Sequence, residues 1–434
     1  MNRIVVVGAG LSGCEVAWQL AKYNIPVVLF EMKPKKFSKA HKSKNFCELV
    51  CSNSLKSEKE GTASYMLKQE MELLDSLVLS VAKKTSVPSG YALAVDRELF
   101  SKEITKKILE NKKIEVIRQE IKDIPKGIVV FATGPLTSEP LVAALLKTIS
   151  EKELYFFDAI SPIVFGDSID YENAFFASRY APNSKDYLNC PMNKEEYLEF
   201  YRNLVEAQTA PIHSFDKPKV YEACMPIEII AKRGEDTMRF GPLKPVGIVN
   251  PKTNREEYSI VQLRKENLES SFYNIVGFQT NLTYTEQKRV FRKIPALKDA
   301  EFLRYGTMHR NIFINSPALL NKDLSLKKNK DIFFAGQILG VEGYLESAAS
   351  GIVVGRILAE RITKNKEFTL AKTSMIASLL RYITNNENKT NFQPMKANFG
   401  VLPSLETTIK NKKEKHIAIS RRGIFELQQH LNRL

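Results

Sequence analysis

Runs of apolar residues alternate with polar turns along the chain, and several of these runs have the character of buried strands. Residues 4–7 and 27–30 are β-branched or aromatic runs that suit parallel strands covered on both faces. Segments 127–135 and 331–355 each begin with another apolar run and continue into a glycine turn. The later segment goes on into a helix rich in small residues. This pattern predicts an α/β fold built on a parallel sheet.

The first strand leads into a turn with the spacing of a phosphate-binding loop. Gly8, Gly10 and Gly13 form the pattern G-x-G-x-x-G directly before a predicted helix, whose free N–H groups favour phosphate. Glu31 ends the second strand, where its carboxylate can accept hydrogen bonds from ribose hydroxyls. The segment therefore predicts a dinucleotide site rather than a glycine turn of another α/β fold. Its candidate binding residues are Gly8, Ala9, Gly10, Leu11, Ser12, Gly13 and Glu31.

Two later segments favour FAD as the dinucleotide. The turn after residues 127–131 is one that often follows the inner strand of a flavin domain, and a second glycine turn near the C-terminus would return the chain to the cofactor. The sequence has no second complete G-x-G-x-x-G, so NAD(P)H would dock only transiently. The candidate cofactor-binding residues of these segments are Thr133, Gly134, Gly336, Gln337, Glu342, Gly343 and Tyr344.

The chain length predicts more than one domain. Its 434 residues exceed the roughly 250–300 at which a single core stops growing. The early and late cofactor segments predict a discontinuous, Rossmann-like FAD-binding domain of the two-dinucleotide flavoprotein type, formed by residues 1–137 and 301–434. Residues 138–300 would form an inserted α/β domain. The basic segment 420–434 has the amphipathic pattern of a closing helix.

The charge balance is strongly basic, with 64 Lys and Arg against 49 Asp and Glu, a net charge of +15. Such a balance favours RNA, DNA or an acidic cofactor as partner, and a general richness in lysine is the alternative explanation. Lys288, Arg289, Arg292 and Lys293 would share one face of a predicted helix and could contact RNA phosphates. A solvated surface helix is the competing interpretation.

The cysteines number five and are scattered: Cys14, Cys47, Cys51, Cys190 and Cys224. This set argues against a disulfide framework and favours a reducing cytoplasm. No neighbouring histidine completes a zinc-type set, so no metal is expected. No apolar run approaches the roughly 18 residues of a membrane span. Segment 10–14 mimics a lipoprotein cleavage site, but the glycines that interrupt its apolar run fit the nucleotide loop better.

Longer motifs between residue 5 and about residue 403 make the chain similar to a known family. They include FCELVCSNSLKS, YEACMPIEIIAKRG, RYGTMHRNIFINSP and FFAGQILGVEGYLESAASG. The sequence resembles the folate- and FAD-dependent RNA (uracil-5-)-methyltransferases, the TrmFO-like proteins. The resemblance implies that 5,10-methylenetetrahydrofolate supplies one carbon and that FAD and NAD(P)H supply reducing equivalents. The implied product is 5-methyluridine in RNA, with tRNA and its T-loop as the founding target.

Cys51 and Cys224 stand at positions where the family motifs carry thiols. Uracil C5 is a weak nucleophile, so a thiolate must add to C6 and a base must later remove the C5 proton. The resemblance suggests Cys224 as the nucleophile and Cys51 as the acid/base, and the reverse assignment stays open. Ordinary buried cysteines are the alternative. Cys47 stands where the family usually has a small residue and is expected to pack.

Other candidates have weaker support. Glu342, Tyr344 and Glu346 are expected to face the isoalloxazine, where Tyr344 could stack on flavin, folate or uracil; a helix-capping turn is the alternative. His41 could touch the cofactor or lie in a solvated loop, and His309 has motif support only.

Three alternative functions remain at this point. Lys396, Leu339 and the segment LTYTEQ depart from family usage without touching the thiols, so a 23S rRNA uridine competes with tRNA as the target. A small-molecule FAD oxidoreductase would leave the basic surface and the thiols without a role. An RNA-binding protein that keeps FAD as structure would be expected to lose a thiol, and both are present. NADH versus NADPH and the oligomeric state stay open.

Overall fold

The computed structural model describes residues 3–149, 154–179, 185–211, 225–267, 270–390 and 392–433, without the side chains of 154–158, 309 and 310. Within these ranges the strands are β1 (Ile4–Val7), β2 (Val27–Glu31), β3 (Ser54–Ser57), β4 (Ser86–Val87), β5 (Ala92–Val95), β6 (Ile114–Arg118), β7 (Val129–Phe131), β8 (Leu154–Ala159), β9 (Ile163–Phe165), β10 (Phe175–Ala177), β11 (Tyr187–Met192), β12 (Ser259–Lys265), β13 (Phe272–Ile275), β14 (Phe302–Arg304), β15 (Met308–Phe313), β16 (Ser325–Leu326) and β17 (Asn329–Phe334). The helices are α1 (Leu11–Lys22), α2 (Ala63–Leu73), α3 (Leu77–Lys84), α4 (Arg97–Glu110), α5 (Glu139–Ile149), α6 (Lys194–Glu206), α7 (Ile227–Ala231), α8 (Tyr284–Phe291), α9 (Ser316–Leu319), α10 (Tyr344–Thr363), α11 (Met375–Thr384) and α12 (Lys412–Leu431).

The first core is built on a six-stranded sheet in the order β16-β17-β7-β1-β2-β6. β1 pairs in parallel with β2 and β7, so that Val5 lies opposite both Val28 and Val129. Only the edge strand β16 runs antiparallel to its neighbour. The apolar runs that predicted strands form β1, β2, β7 and β17, and the prediction of a Rossmann-like α/β fold is confirmed.

Helix α10 packs directly against α1, and small residues set the distance between them. A Cβ on Gly351 would overlap the backbone of Ser12, and one on Gly355 would lie 3.1 Å from the Val16 carbonyl oxygen. This close approach brings the N-termini of both helices to the same edge of the sheet. The small residues that mark α10 in the sequence therefore also position the two glycine turns.

The second core lies between helices α6 to α8 and an antiparallel sheet in the order β10-β11-β12-β13-β9-β14. Phe278 and Phe291 meet edge to face there, with ring centroids 5.2 Å apart. Three residues of α5, which follows the proposed boundary at residue 137, belong to the first core: Leu141, Leu145 and Ile149. The domain boundaries at 137 and 300 stay a prediction.

The chain leaves and re-enters the first core through a two-stranded antiparallel ladder of β8 and β15. The N–H group of Ile160 then donates to the Thr307 carbonyl at 2.9 Å. The two crossings therefore run side by side and are joined by backbone hydrogen bonds.

The closing helix predicted in segment 420–434 is confirmed as part of α12. The helix begins earlier than predicted because the Asn411 side chain accepts from the backbone N–H groups of Lys413 and Glu414. None of the described helices combines the length and the apolar character needed to cross a membrane.

Burial of Glu70 predicts a pH-dependent stability. Its carboxylate, fully buried on α2, accepts from the N–H groups of Met375 and Ile376, and burial raises its pKa to about 8. The native state therefore binds more protons than the unfolded state between about pH 5 and 8. The free energy of unfolding should fall as pH rises through that window, by at most about 1.4 kcal/mol per pH unit from this group.

Urea unfolding of wild type and Glu70→Gln at a series of pH values tests this expectation. The variant should show a shallower fall of the midpoint between pH 5 and 8. Glu72→Gln is the matched control, because Glu72 lies on the same helix but is 54% exposed. Equal pH slopes for wild type and Glu70→Gln would contradict the assignment.

Candidate active site

A deep cleft opens at the carboxyl ends of β1, β2 and β7, where open α/β sheets bind ligands. It encloses about 1330 Å³, open solvent at its mouth included. The predicted cofactor residues on its wall are Gly8, Ala9, Gly10, Leu11, Ser12, Glu31, Thr133, Gly134, Gln337 and Tyr344. Those not on its wall are Gly13, Gly336, Glu342 and Gly343.

The first glycine turn leaves its backbone open to a ligand. A Cβ on Gly10 would meet no protein atom within 4 Å, so the space before it belongs to the cleft. Gly13 instead packs against the Gly8 carbonyl, where any Cβ would overlap. Helix α1 begins directly after Gly10 and has no acidic residue in its first turn. Its free N–H groups can therefore receive an anion beside the open backbone.

Glu31 is tied to the same turn. Its carboxylate accepts hydrogen bonds from the N–H groups of Ala9 at 2.9 Å and Lys33 at 3.0 Å. A carboxylate offers about four acceptor positions, so two remain for other donors. This geometry suits the role proposed for Glu31 toward ribose hydroxyls.

The second glycine turn holds the start of α10 beside the cleft. The N–H group of Gly336 donates to Ser350 Oγ at 2.8 Å, and that of Glu342 donates to the Met395 carbonyl at 2.9 Å. Glu346, expected to face the isoalloxazine, is buried away from the cleft wall and pairs with Lys56 at 2.5 Å. Gly336, Glu342 and Glu346 therefore shape and anchor the turn.

Cys51 lies on a wall that two cavities share. It lines the cleft and also a second cavity, which encloses about 770 Å³ with open solvent included and reaches β12 and β13. The Cys51 side chain is partly exposed, and its Sγ lies 4.0 Å from the Ala159 carbonyl oxygen. A thiol in this wall can reach ligands on both sides.

Tyr344 anchors the loop that carries Cys51. Its hydroxyl accepts hydrogen bonds from the N–H groups of Cys51 at 2.8 Å and Ser52 at 3.4 Å. Burial raises the pKa of Tyr344, so the phenol stays protonated at neutral pH. The sequence suggested stacking for this ring and gave no sign of the bond to Cys51.

Replacement of Tyr344 by Phe should therefore lower kcat more than it weakens flavin binding. The Cys51 N–H group would lose its acceptor, which costs about 1–3 kcal/mol when the group stays buried. We expect kcat to fall by about tenfold with unchanged flavin content, measured by steady-state kinetics and absorbance. Tyr23→Phe is the control, because it loses one bond to Glu360 outside the cleft. Unchanged kcat in Tyr344→Phe would remove this anchoring role.

Three arginines from distant parts of the chain also surround this loop. Arg97, Arg264 and Arg304 each donate to oxygen atoms of loop 49–53, and Glu266 pairs with Arg97. Burial lowers the pKa of Arg304 to about 10, so it stays charged at neutral pH. Three cations and one paired carboxylate favour a group that becomes anionic near Cys51. Sequence reasoning missed this cluster, because no local pattern joins its members.

Of the remaining thiol and histidine candidates, the structure describes the side chains of Cys47 and His41. Cys47 is buried in the first core and also lines the cleft, and burial raises its pKa well above the usual range. His41 lines the cleft, its Nδ1 lies 2.6 Å from Ser38 Oγ, and burial lowers its pKa. Cys224 and the His309 side chain lie outside the described residues, so their proposed roles stay predictions.

The basic segment 288–293 differs from the expected helix face. Helix α8 ends at Phe291, since Ile294 is extended before Pro295, so Arg292 and Lys293 follow the helix. Arg289 pairs with Glu286, Lys293 pairs with Glu199, and Arg292 donates to the Ala300 carbonyl. Lys288 is exposed and has no ion pair among the described residues. RNA contact by this segment stays a prediction.

The cleft fits FAD, and the fold agrees with that class. The open space before Gly10 and the start of α1, which has no acidic residue in its first turn, match the diphosphate of a dinucleotide. The spare acceptor positions on Glu31 match its ribose. The family model "Glucose inhibited division protein A" matches residues 3–367. The solved structure of GidA from Aquifex aeolicus aligns over 99% of this chain and 73% of that one, with a TM-score of 0.71 at 16% identity. Fold and site thus define an FAD-binding flavoprotein.

Full-length relatives narrow the assignment. A protein from Carboxydothermus hydrogenoformans is 52% identical over 432 residues, covering 99% of each chain, and one from Fusobacterium nucleatum is 51% identical over 431 residues with the same coverage. Both are named methylenetetrahydrofolate--tRNA-(uracil-5-)-methyltransferase TrmFO. The chain belongs to this TrmFO family.

Proposed function

We propose that this protein methylates C5 of a uridine in tRNA, with 5,10-methylenetetrahydrofolate as carbon donor and NAD(P)H as reductant. The observation that carries the proposal is the place of Cys51, in the wall between a dinucleotide cleft and a second cavity. A flavin in the cleft and a nucleobase in the second cavity could therefore both approach the same thiol. The names of the full-length relatives give the substrate class.

The chain's own residues would hold the flavin and order the thiol loop. The glycine turn and the N-terminus of α1 would receive the diphosphate, and Glu31 would accept hydrogen bonds from the ribose hydroxyls. When bound and reduced, FAD supplies the reducing equivalents that convert a methylene carbon into a methyl group. Tyr344 and the three arginines keep Cys51 at the shared wall.

The thiols divide the work on the base. Cys224 adds as a thiolate to uracil C6, which makes C5 nucleophilic enough to attack the one-carbon unit. Cys51 removes the C5 proton while the bond between the methylene carbon and the folate nitrogen breaks, which leaves a methylene group on C5 and releases tetrahydrofolate. A hydride equivalent then converts this methylene into methyl, and the electrons returned to the ring expel the Cys224 thiolate from C6. Positive charge from Arg97, Arg264 and Arg304 would stabilise the anionic form that develops on the ring or on the Cys51 sulfur.

The RNA would first meet the protein through its phosphates. The net charge of +15 supports a salt-sensitive encounter, with Lys288 as one candidate contact. We place the reaction in the cytoplasm, because the relatives' names make tRNA the substrate. A uridine of 23S rRNA is the competing target that the sequence departures left open.

Deletion of the gene followed by mass mapping of 5-methyluridine separates the two targets. We expect the modification to disappear from the tRNA T-loop and to remain in the large-subunit rRNA. Plasmid-borne wild type should restore it, and Cys51→Ala should not. Loss from rRNA alone would assign the same chemistry to the other RNA, and unchanged 5-methyluridine in both would contradict the proposed function.

A further inference from the structure

The second cavity contains a buried amide with an unmet hydrogen-bond donor. Asn274 on β13 is 3% exposed and lines this cavity. Its Nδ2 atom has no hydrogen-bond partner within the described part of the chain. Buried amide donors are costly to leave unbonded, so this position calls for a ligand that accepts from Nδ2.

Strand register places this amide beside Arg264, the arginine that holds the loop of Cys51. β12 and β13 pair so that Asn274 lies directly opposite Arg264, and both side chains leave the same face of the sheet. Arg264 donates to Asn53 Oδ1 at 2.7 Å and to Ser52 Oγ at 2.8 Å. The pair of strands therefore holds the amide and, through Arg264, the loop of Cys51 around one space.

The lining of the cavity suits an uncharged polar ring. Ser161 and Gln279 add polar groups, Met225 and Val276 add apolar surface, and no carboxylate is among its described lining residues. The single lining cation, Arg264, is compatible with a base attached to a phosphate chain.

We propose that the second cavity receives the target uracil and that Asn274 binds its imide edge. Nδ2 donates to the O4 carbonyl and Oδ1 accepts from N3–H, which matches one donor and one acceptor of the carboxamide. In this position the ring lies between Asn274 and Cys51, with the flavin cleft behind the thiol. The inference rests on the proposed function and adds a residue that orients the base.

Steady-state kinetics of Asn274→Ala with a T-loop RNA tests the assignment. We expect kcat/KM for RNA to fall by about 10- to 100-fold, the loss of one or two hydrogen bonds, with an unchanged KM for methylenetetrahydrofolate. Wild type should reject an RNA with 3-methyluridine at the target, and the variant should discriminate at least about tenfold less, since the group that reads N3 is gone.

A buried asparagine of the same sheet provides the control for folding. Asn189 on β11 donates to the carbonyls of Phe175 and Ala177, so Asn189→Ala should lower the thermal midpoint. Asn274→Ala removes no such bond and should keep the wild-type midpoint and flavin content. A lowered midpoint without the kinetic change would make Asn274 structural.

Three further outcomes would overturn the assignment of Asn274 to the uracil. Equal kcat/KM in wild type and Asn274→Ala would overturn the inference and leave the proposed function standing. A raised KM for methylenetetrahydrofolate alone would give the cavity to the folate and overturn the inference as well. Flavin-containing wild type that forms no 5-methyluridine would overturn the proposed function and this inference together.

Discussion

Gly10→Val should give a folded but colourless protein. The open space in front of Gly10 belongs to the cleft, so the valine side chain would occupy the position where a diphosphate approaches the backbone. Flavin absorbance per chain should drop from about one equivalent to near zero and should not return after addition of FAD. Because no protein atom lies within 4 Å of a Cβ at this position, the thermal midpoint should equal that of flavin-free wild type.

A matched glycine outside the cleft distinguishes lost binding from lost folding. Gly241 is exposed, and a Cβ there would make only ordinary contacts, the nearest at 3.5 Å. Gly241→Val should keep its flavin and its colour. A yellow Gly10→Val protein, or a wild type that never takes up FAD, would contradict the proposed cofactor site.

The thiol variants should separate covalent addition from proton transfer. RNA with 5-fluorouracil at the target should trap a covalent complex in wild type, since fluorine cannot leave C5 as a proton does. Cys224→Ala should abolish both the adduct and methylation. Cys51→Ala should abolish methylation, with kcat reduced by about 100-fold or more, and still form the adduct if it acts only in proton transfer.

Denaturing gels of the RNA–protein complex and flavin absorbance provide the readouts. Cys190→Ala is the control, because Cys190 is buried in the second core away from both cavities, and it should retain the adduct. An adduct that survives in Cys224→Ala and vanishes in Cys51→Ala would reverse the roles. Full methylation by either single variant would contradict the two-thiol chemistry.

Much of the first core, with the parallel sheet and the first glycine turn, could be predicted from local patterns. Buried parallel strands show as apolar runs, and the start of α1 shows as a glycine spacing, because both depend on neighbours in sequence. The place of Tyr344 beside Cys51 could not be predicted in this way. It depends on the packing of α10 against α1, which is set by contacts such as Gly351 on Ser12.

The second sheet was the least predictable part. Its antiparallel register places Asn274 opposite Arg264, and no short segment of sequence encodes such a pairing. The prediction that the four charges of 288–293 share one helix face was wrong for a local reason. The charge spacing suggested a longer helix, but α8 ends at Phe291, ahead of Pro295 and before the last two charges. Cys224 came from motif resemblance alone, and its role stays a prediction.

The most direct test of the central claim follows the methyl carbon. Purified flavin-containing protein would be incubated with an unmodified tRNA transcript, NADPH and 5,10-methylenetetrahydrofolate labelled at the methylene carbon. We predict label in 5-methyluridine of the T-loop, dependent on the folate and the reductant and unaffected by S-adenosylmethionine. An unlabelled tRNA, or a product formed only with S-adenosylmethionine, would contradict folate-dependent uracil methylation by this protein.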